Sequence, residues 1–230
     1  MDSGTDPRAL IEQAEAHKQT GNAFFKEGNY QKALGSYHKV FLYVNGVQVP
    51  GEKSEATAYA NMMGKSTASS QVPADKVEAL KQLKQSTHLN MAACFLGVGK
   101  KSGTAAPEGA RAYKRCVEVC TKVIAEGPCT KALFRRGQAH LELGNLDEAK
   151  ADLTEAERLE PEDVSIQREL RRIAHAFAQH DKREKKRFAG MFGKMEKDST
   201  GEAPSAPAEG DSEELVREAA PVDNVAAAAA

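Results

Sequence analysis

Two pairs of polar side chains in this chain are spaced to act together. Lys18 and Asn22 stand four residues apart, and so do Lys131 and Arg135. On a helix, residues at that spacing lie one above the other on a single face. Each pair then aims a cation and a second donor in one direction. Such a set suits carboxylates: Arg can meet one with two parallel hydrogen bonds, Lys acts as a point charge, and an amide nitrogen donates without adding charge. The segments around these pairs repeat. Gly21–Ala33 reads GNAFFKEGNYQKA and Gly137–Ala149 reads GQAHLELGNLDEA. In both, a Gly opens the frame, a ring follows three residues later, and Gly-Asn-apolar-x-x-Ala closes it. Internal repetition of this kind predicts stacked supersecondary units. Stacked units present an extended concave surface that binds segments of other proteins.

The elements that must position these residues are helical. Leu10, Ile11 and Ala14 lead into Gly21 and Phe24, and Ala33, Leu34, Tyr37, Val40 and Phe41 form a second apolar face at i, i+3, i+4, i+7 spacing. Glu27-Gly28-Asn29 between them predicts a tight turn with Gly at the helix C-terminus. Val44 to Pro73 is rich in Gly, Ser, Thr and Ala and is expected to be a long mobile insertion. A helix returns at Ala74, with an end expected near Gly97 or Gly99. Its partner is expected over Ala110–Ala125, closed by Gly127-Pro128. Lys131–Leu143 and Leu146–Leu159 predict a third hairpin, closed by Pro161. Glu162 to Lys197 reads as one long basic helix. From residue 198 onward apolar content is too low to pack, which predicts a disordered tail. The expected layout is an N-terminal extension over 1–13, a repeat domain over 14–161 (repeats at 14–47, 85–129 and 130–161, insertion at 48–73), a helix over 162–197 and a tail over 198–230.

Composition narrows the function classes. Net charge is -1 over 230 residues, which predicts no nucleic-acid partner and no membrane partner. No apolar run approaches the roughly 20 residues a membrane span needs. The polar, acidic start MDSGTDPRALIEQAEAH does not resemble a secretory signal, so the cytoplasm is the expected location. Cys116 and Cys120 are four apart, half of a metal site in spacing, yet no His or Cys pair elsewhere matches them; buried reduced thiols are expected, with no metal. The six His form no His-Glu-x-x-His arrangement, and Gly64-Lys-Ser lacks the earlier Gly of a phosphate loop. No nucleophile motif is present. The sequence offers no support for catalysis and none for a cofactor.

The hairpins resemble tetratricopeptide repeats, helix-turn-helix units of about 34 residues. The third matches the family pattern through Gly137, His140, Ala149, Leu153, Ala156 and Pro161; the first through Gly21, Phe24, Ala33 and Tyr37, with Val40 where the family has Ala. The second matches at Ala92, Phe95 and Pro128, places Cys116 and Cys120 at its small and bulky positions, and carries about a dozen extra residues between its helices. The segments STHLNMAACFL, KALFRRGQAHLELGNLDEAKADL and REKKRFAGMF are similar to the repeat region of FKBP-type immunophilins. The layout without an isomerase domain also resembles the tetratricopeptide repeat protein 9 family. This likeness implies an all-α fold: three tetratricopeptide helical hairpins forming a right-handed solenoid, plus a long C-terminal helix.

Chaperone-binding members of such families grip the C-terminal Glu-Glu-Val-Asp of heat shock proteins with a two-carboxylate clamp. The resemblance carries that role to Lys18 and Asn22 in the first repeat, Asn90 in the second, and Lys131 and Arg135 in the third. It implies a non-enzymatic adaptor or co-chaperone whose partner is the C-terminal peptide of heat shock protein 90 or 70. The rival expectation is a scaffold that binds an internal segment, with the cationic groove incidental. Peptidyl-prolyl isomerase activity would need a domain for which the chain has no room. Singly, each Lys or Arg reads as a solvated helix face; together, in repeat register, they read as a site. Phe24, Phe25, Tyr37 and Phe95 are expected in the core, with Phe25 beside the peptide as an alternative. Arg171, Arg172, Lys182, Arg183, Lys185, Lys186 and Arg187 could recruit calmodulin or an acidic protein surface. Against that, Leu170, Ile173, Phe177, Phe188 and Met191 could cap the end of the solenoid. Nothing points to a stable oligomer, so a monomer is expected.

Overall fold

The computed structural model describes residues 6–45 and 72–199, and these described residues form seven helices. They are α1 (Pro7–Lys26), α2 (Tyr30–Val44), α3 (Ala74–Ser102), α4 (Pro107–Glu126), α5 (Thr130–Leu143), α6 (Leu146–Leu159) and α7 (Val164–Ser199). No strand occurs among the described residues. The expected insertion at 48–73 and the expected tail over 198–230 fall almost wholly outside the described residues; residues 198 and 199 belong to the last helix. One compact unit ends at Lys182 and a second begins at Arg183.

Local chemistry sets the ends of the first hairpin. Asp6 accepts a hydrogen bond from the Arg8 amide at 3.0 Å and Pro7 occupies the first turn, so α1 starts at Pro7, inside the stretch expected to be an extension. Ile11 and Ala14 are buried along it. The chain reverses at Gly28 with φ 71°, and the equivalent Gly144 has φ 82°. Both lie in the left-handed region that Gly enters without a steric penalty. The Asn that follows starts the next helix in each case. Asn29 Oδ1 accepts from the Lys32 amide at 3.3 Å, whereas Asn145 Nδ2 meets His140 Nδ1 at 3.2 Å.

The helices pair as α1 with α2, α3 with α4 and α5 with α6. Pairing is close because the repeat Gly leaves no room for a side chain. A Cβ at Gly21 would stand 2.5 Å from the Tyr37 ring, and one at Gly137 would stand 2.8 Å from Leu153 Cγ. The central core runs from Ala33 and Tyr37 of α2 through Met91, Ala92 and Cys94 of α3 to Cys116 and Cys120 of α4. At the far end, Ile166 and Ile173 of α7 bury against Leu133, Ala149, Leu153 and Ala156, with Leu170 and Phe177 alongside. Full burial of a side chain the size of Ile166, Ile173, Leu133 or Leu153 contributes about 1.5–3 kcal/mol. This part of α7 caps the last hairpin; Phe188 and Met191 are exposed.

α3 corrects one expectation. It does not end at Gly97 or Gly99 but continues to Ser102 and stops at Gly103. The two glycines are packing positions, not caps. A Cβ at Gly97 would meet the Tyr30 ring at 2.5 Å, and one at Gly99 the Tyr113 ring at 2.6 Å.

Candidate functional site

The residues singled out by spacing come from three helices, and one turn of α3 links them. Lys18 on α1 donates from Nζ to Ser86 Oγ at 2.7 Å. Ser86 is held in turn by donating to the Leu83 carbonyl at 3.1 Å. Asn90, one turn after Ser86, donates from Nδ2 to Asn22 Oδ1 at 2.9 Å. Arg135 on α5 donates from Nη1 to the Leu89 carbonyl at 2.6 Å. The Lys18 amine and the Arg135 guanidinium thus bond to the same helix at residues 86 and 89, rather than standing on opposite walls. Lys131 is exposed one turn before Arg135. Both line a groove of about 390 Å³ together with Phe25, Phe134, Gln138 and Lys100.

Second contacts fix the orientation of these groups. Asn22 Oδ1 also accepts from the Tyr37 hydroxyl at 2.7 Å, so its carbonyl oxygen is engaged twice and its amide nitrogen is turned to donate elsewhere. Burial, with the Cys94 thiol adding to it, pushes the Tyr37 hydroxyl up to about 12 against a smaller opposing pull from Asn90, so it stays a donor. One Asn90 N–H is taken by Asn22, which leaves Asn90 fewer free donors than a bare amide. Cys116 Sγ donates to the Arg135 carbonyl at 3.7 Å. The Cys116 thiol is raised well above its ordinary value, first by its bond with Cys120 and then by burial. Burial likewise pushes Cys94 up to about 12, with Arg135 opposing. These are neutral packing thiols, and Cys94, Cys116, Cys120 and Cys129 are all free.

Adjacent arginines separate by role. Arg136 turns to α6, where its Nε and Nη2 meet Asp152 at 2.8 and 2.7 Å. Asp152 is buried, and this two-bonded contact raises Arg136. Arg172 of α7 joins Glu142 at 2.9 Å and Glu169 at 2.7 Å, and Gln138 donates to Glu169 at 3.0 Å. Ser86, the Tyr37 hydroxyl and Lys100 were not anticipated as parts of the site. Lys100 follows Asn90, Ala93 and Gly97 on one face of α3, a pattern hidden by the expectation that the helix ended before it.

The paired helices stack as helical hairpins, an architecture that known proteins share. Residues 130–163 match the tetratricopeptide repeat. The chain is 29% identical over 180 residues to the peptidyl-prolyl cis-trans isomerase FKBP42 of Arabidopsis thaliana, covering 78% of this chain and 40% of that protein. It is 26% identical over 186 residues to FKBP4 of Mus musculus, covering 80% of this chain and 33% of that protein. The chain therefore spans about a third to two fifths of the length of these curated relatives, and the likeness runs through their repeat region rather than their isomerase domain. Among solved structures, the C-terminal TPR-containing domain of a Plasmodium falciparum FK506-binding protein shares the fold at TM-score 0.55 and 20% identity, covering 76% of this chain and 95% of that one. The Hsp90 co-chaperone Cns1 of Saccharomyces cerevisiae shares it at TM-score 0.58 and 24% identity, covering 82% and 47%.

Proposed function

We propose that this chain is a non-enzymatic adaptor of the co-chaperone kind, which captures the C-terminal Glu-Glu-Val-Asp carboxylates of heat shock protein 90 or 70. The observation that carries this reading is the convergence of Lys18, Asn22 and Arg135 on residues 86–90 of α3, with Lys131 beside Arg135 in one groove. A chain ending in Asp offers two carboxylates within a few ångströms. Lys18 and Lys131 supply charge to them, Arg135 supplies a planar fork, and Asn22 and Asn90 supply neutral donors. Each charge-assisted bond contributes about 1.5–3 kcal/mol, and a micromolar complex needs about 8 kcal/mol. A handful of such bonds therefore accounts for much of the binding. The groove beyond Arg135, with Phe25 and Phe134, receives the apolar side chain that precedes the terminal residue. The fold is shared with Cns1, which is itself an Hsp90 co-chaperone.

The test is calorimetry with one synthetic peptide ending in Glu-Glu-Val-Asp, prepared with a free C-terminus and again amidated. Binding of the free acid alone, weakening as salt is added, is the expected result. Equal affinity for both forms contradicts capture of the terminal carboxylate and favours a scaffold that binds internal segments.

A further inference from the structure

α3 has a second functional-looking face. Residues 86, 90, 93, 97 and 100 share one side of α3, facing α1, α5 and the start of α2 at Tyr30, whereas Lys84, His88, Met91 and Phe95 recur at i, i+4, i+7, i+11 on the opposite side. There α3 forms the floor of a separate groove of about 850 Å³ whose walls are α2 and α4. The walls meet at one end, where Gln31 Nε2 donates to Glu108 Oε1 at 3.3 Å. The other end is lined by Asn45, Lys84 and Lys122.

We propose that this groove is a docking site, independent of the carboxylate-binding face, for an acidic amphipathic helix of a partner protein. Length supports a helix: the α2 wall from Gln31 to Asn45 spans roughly 20 Å, about four helical turns. The groove's apolar lining comes from all three helices: Leu34 and Phe41 of α2, Met91 and Phe95 of α3, and Val119 of α4. An amphipathic helix laid into such a groove buries side chains at i, i+3, i+4 and i+7. Space supports close approach: a Cβ built on Gly35 meets no atom within 4 Å, so an incoming backbone can come near α2 there. Charge selects an acidic partner. Arg115 and Glu118 offset each other at 3.8 Å, and among the described residues Lys84 and Lys122 at the other end form no ion pair. His88 packs against Phe41 with ring centroids 4.4 Å apart and the rings tilted by 35°. Burial, then Lys122 and Lys84, pushes His88 down to about 4, so at neutral pH it adds an aromatic surface and no charge.

The experiment is selection of phage-displayed 16-residue peptides on the full chain. Each peptide is fused to the coat protein through its C-terminus, so none offers a free terminal carboxylate. The expected family is helical, with Glu or Asp on one face and Leu, Phe or Met on the other. Lys84→Glu combined with Lys122→Glu weakens its members at least tenfold, and reselection on that variant enriches Lys and Arg instead. Gly35→Trp, which plugs the groove, abolishes binding, and Arg135→Ala leaves it unchanged. No enriched helical family overturns the proposal. So does a family whose binding survives both the charge reversal and the plug, or one that is lost with Arg135→Ala.

Discussion

The two faces of α3 treat polar groups in opposite ways. Toward α1 and α5, Ser86, the Leu89 carbonyl and Asn90 each share a hydrogen bond with a neighbouring helix, and Lys18 and Arg135 are anchored by those bonds. Toward α2 and α4, His88 Nδ1 is buried without any partner and the lysines at the rim are tethered to nothing among the described residues. A side chain already held in place loses little freedom when a ligand arrives, whereas a loose lysine must be ordered at that moment. On the proposed reading, the first face suits a small, well-defined anion. The second suits a larger occupant whose affinity comes from apolar area, with charge choosing among partners.

Peptide affinity is where the contrast between the faces is largest. Arg135→Ala or Lys131→Ala lowers affinity for the free-acid Glu-Glu-Val-Asp peptide by about 1.5–3 kcal/mol, roughly tenfold to a hundredfold. A dissociation constant unchanged in both variants removes these residues from the site.

A smaller effect comes from acid. His88 is depressed to about 4 in the folded chain against an ordinary 6.5. Between those values the unfolded chain binds a proton that the folded chain refuses, so stability is full above about pH 6.5 and falls as pH drops toward 4. Allowing for partial solvent screening, the loss is about 1–2 kcal/mol. Denaturant melts of His88→Phe should flatten between pH 6.5 and 4 relative to the parent; parallel slopes would mean that His88 titrates normally.

Tyr37→Phe removes one of the two donors to Asn22 while keeping the ring against Gly21. It should cost about 0.5–1.5 kcal/mol of stability, with peptide binding weakened modestly because Asn22 is less firmly oriented. Affinity that drops as far as in Arg135→Ala would show that Tyr37 touches the ligand itself. The smallest effect expected is none: Lys84→Glu with Lys122→Glu should leave affinity for the chaperone-type peptide within about twofold at physiological salt, since both lysines line the other groove and salt screens charges across a solvated surface. A large drop would merge the two faces into one electrostatic site.

Much of this architecture is legible in the sequence because local signals and the core agree. Gly28-Asn29 and Gly144-Asn145 mark turns by their backbone demands, and Leu133, Leu153 and Ala156 mark the third hairpin by helical period. The cationic and amide residues are legible through their four-residue spacing and repeat register. The end of α3 is not, because Gly97 and Gly99 after an apolar run look like caps until the rings of Tyr30 and Tyr113 are seen against them. Ser86 and the Tyr37 hydroxyl are hidden for a related reason: each matters only through a partner 68 or 15 residues away. The groove between α2 and α4 depends on how far apart two second helices stand, which no single helix encodes.

The most direct test of the central claim is a double-mutant cycle by calorimetry. It pairs Arg135→Ala with amidation of the peptide's terminal carboxylate. If the guanidinium holds that carboxylate, Arg135→Ala weakens the free acid by at least tenfold and changes the amidated peptide hardly at all. Equal losses with both peptides would contradict the account.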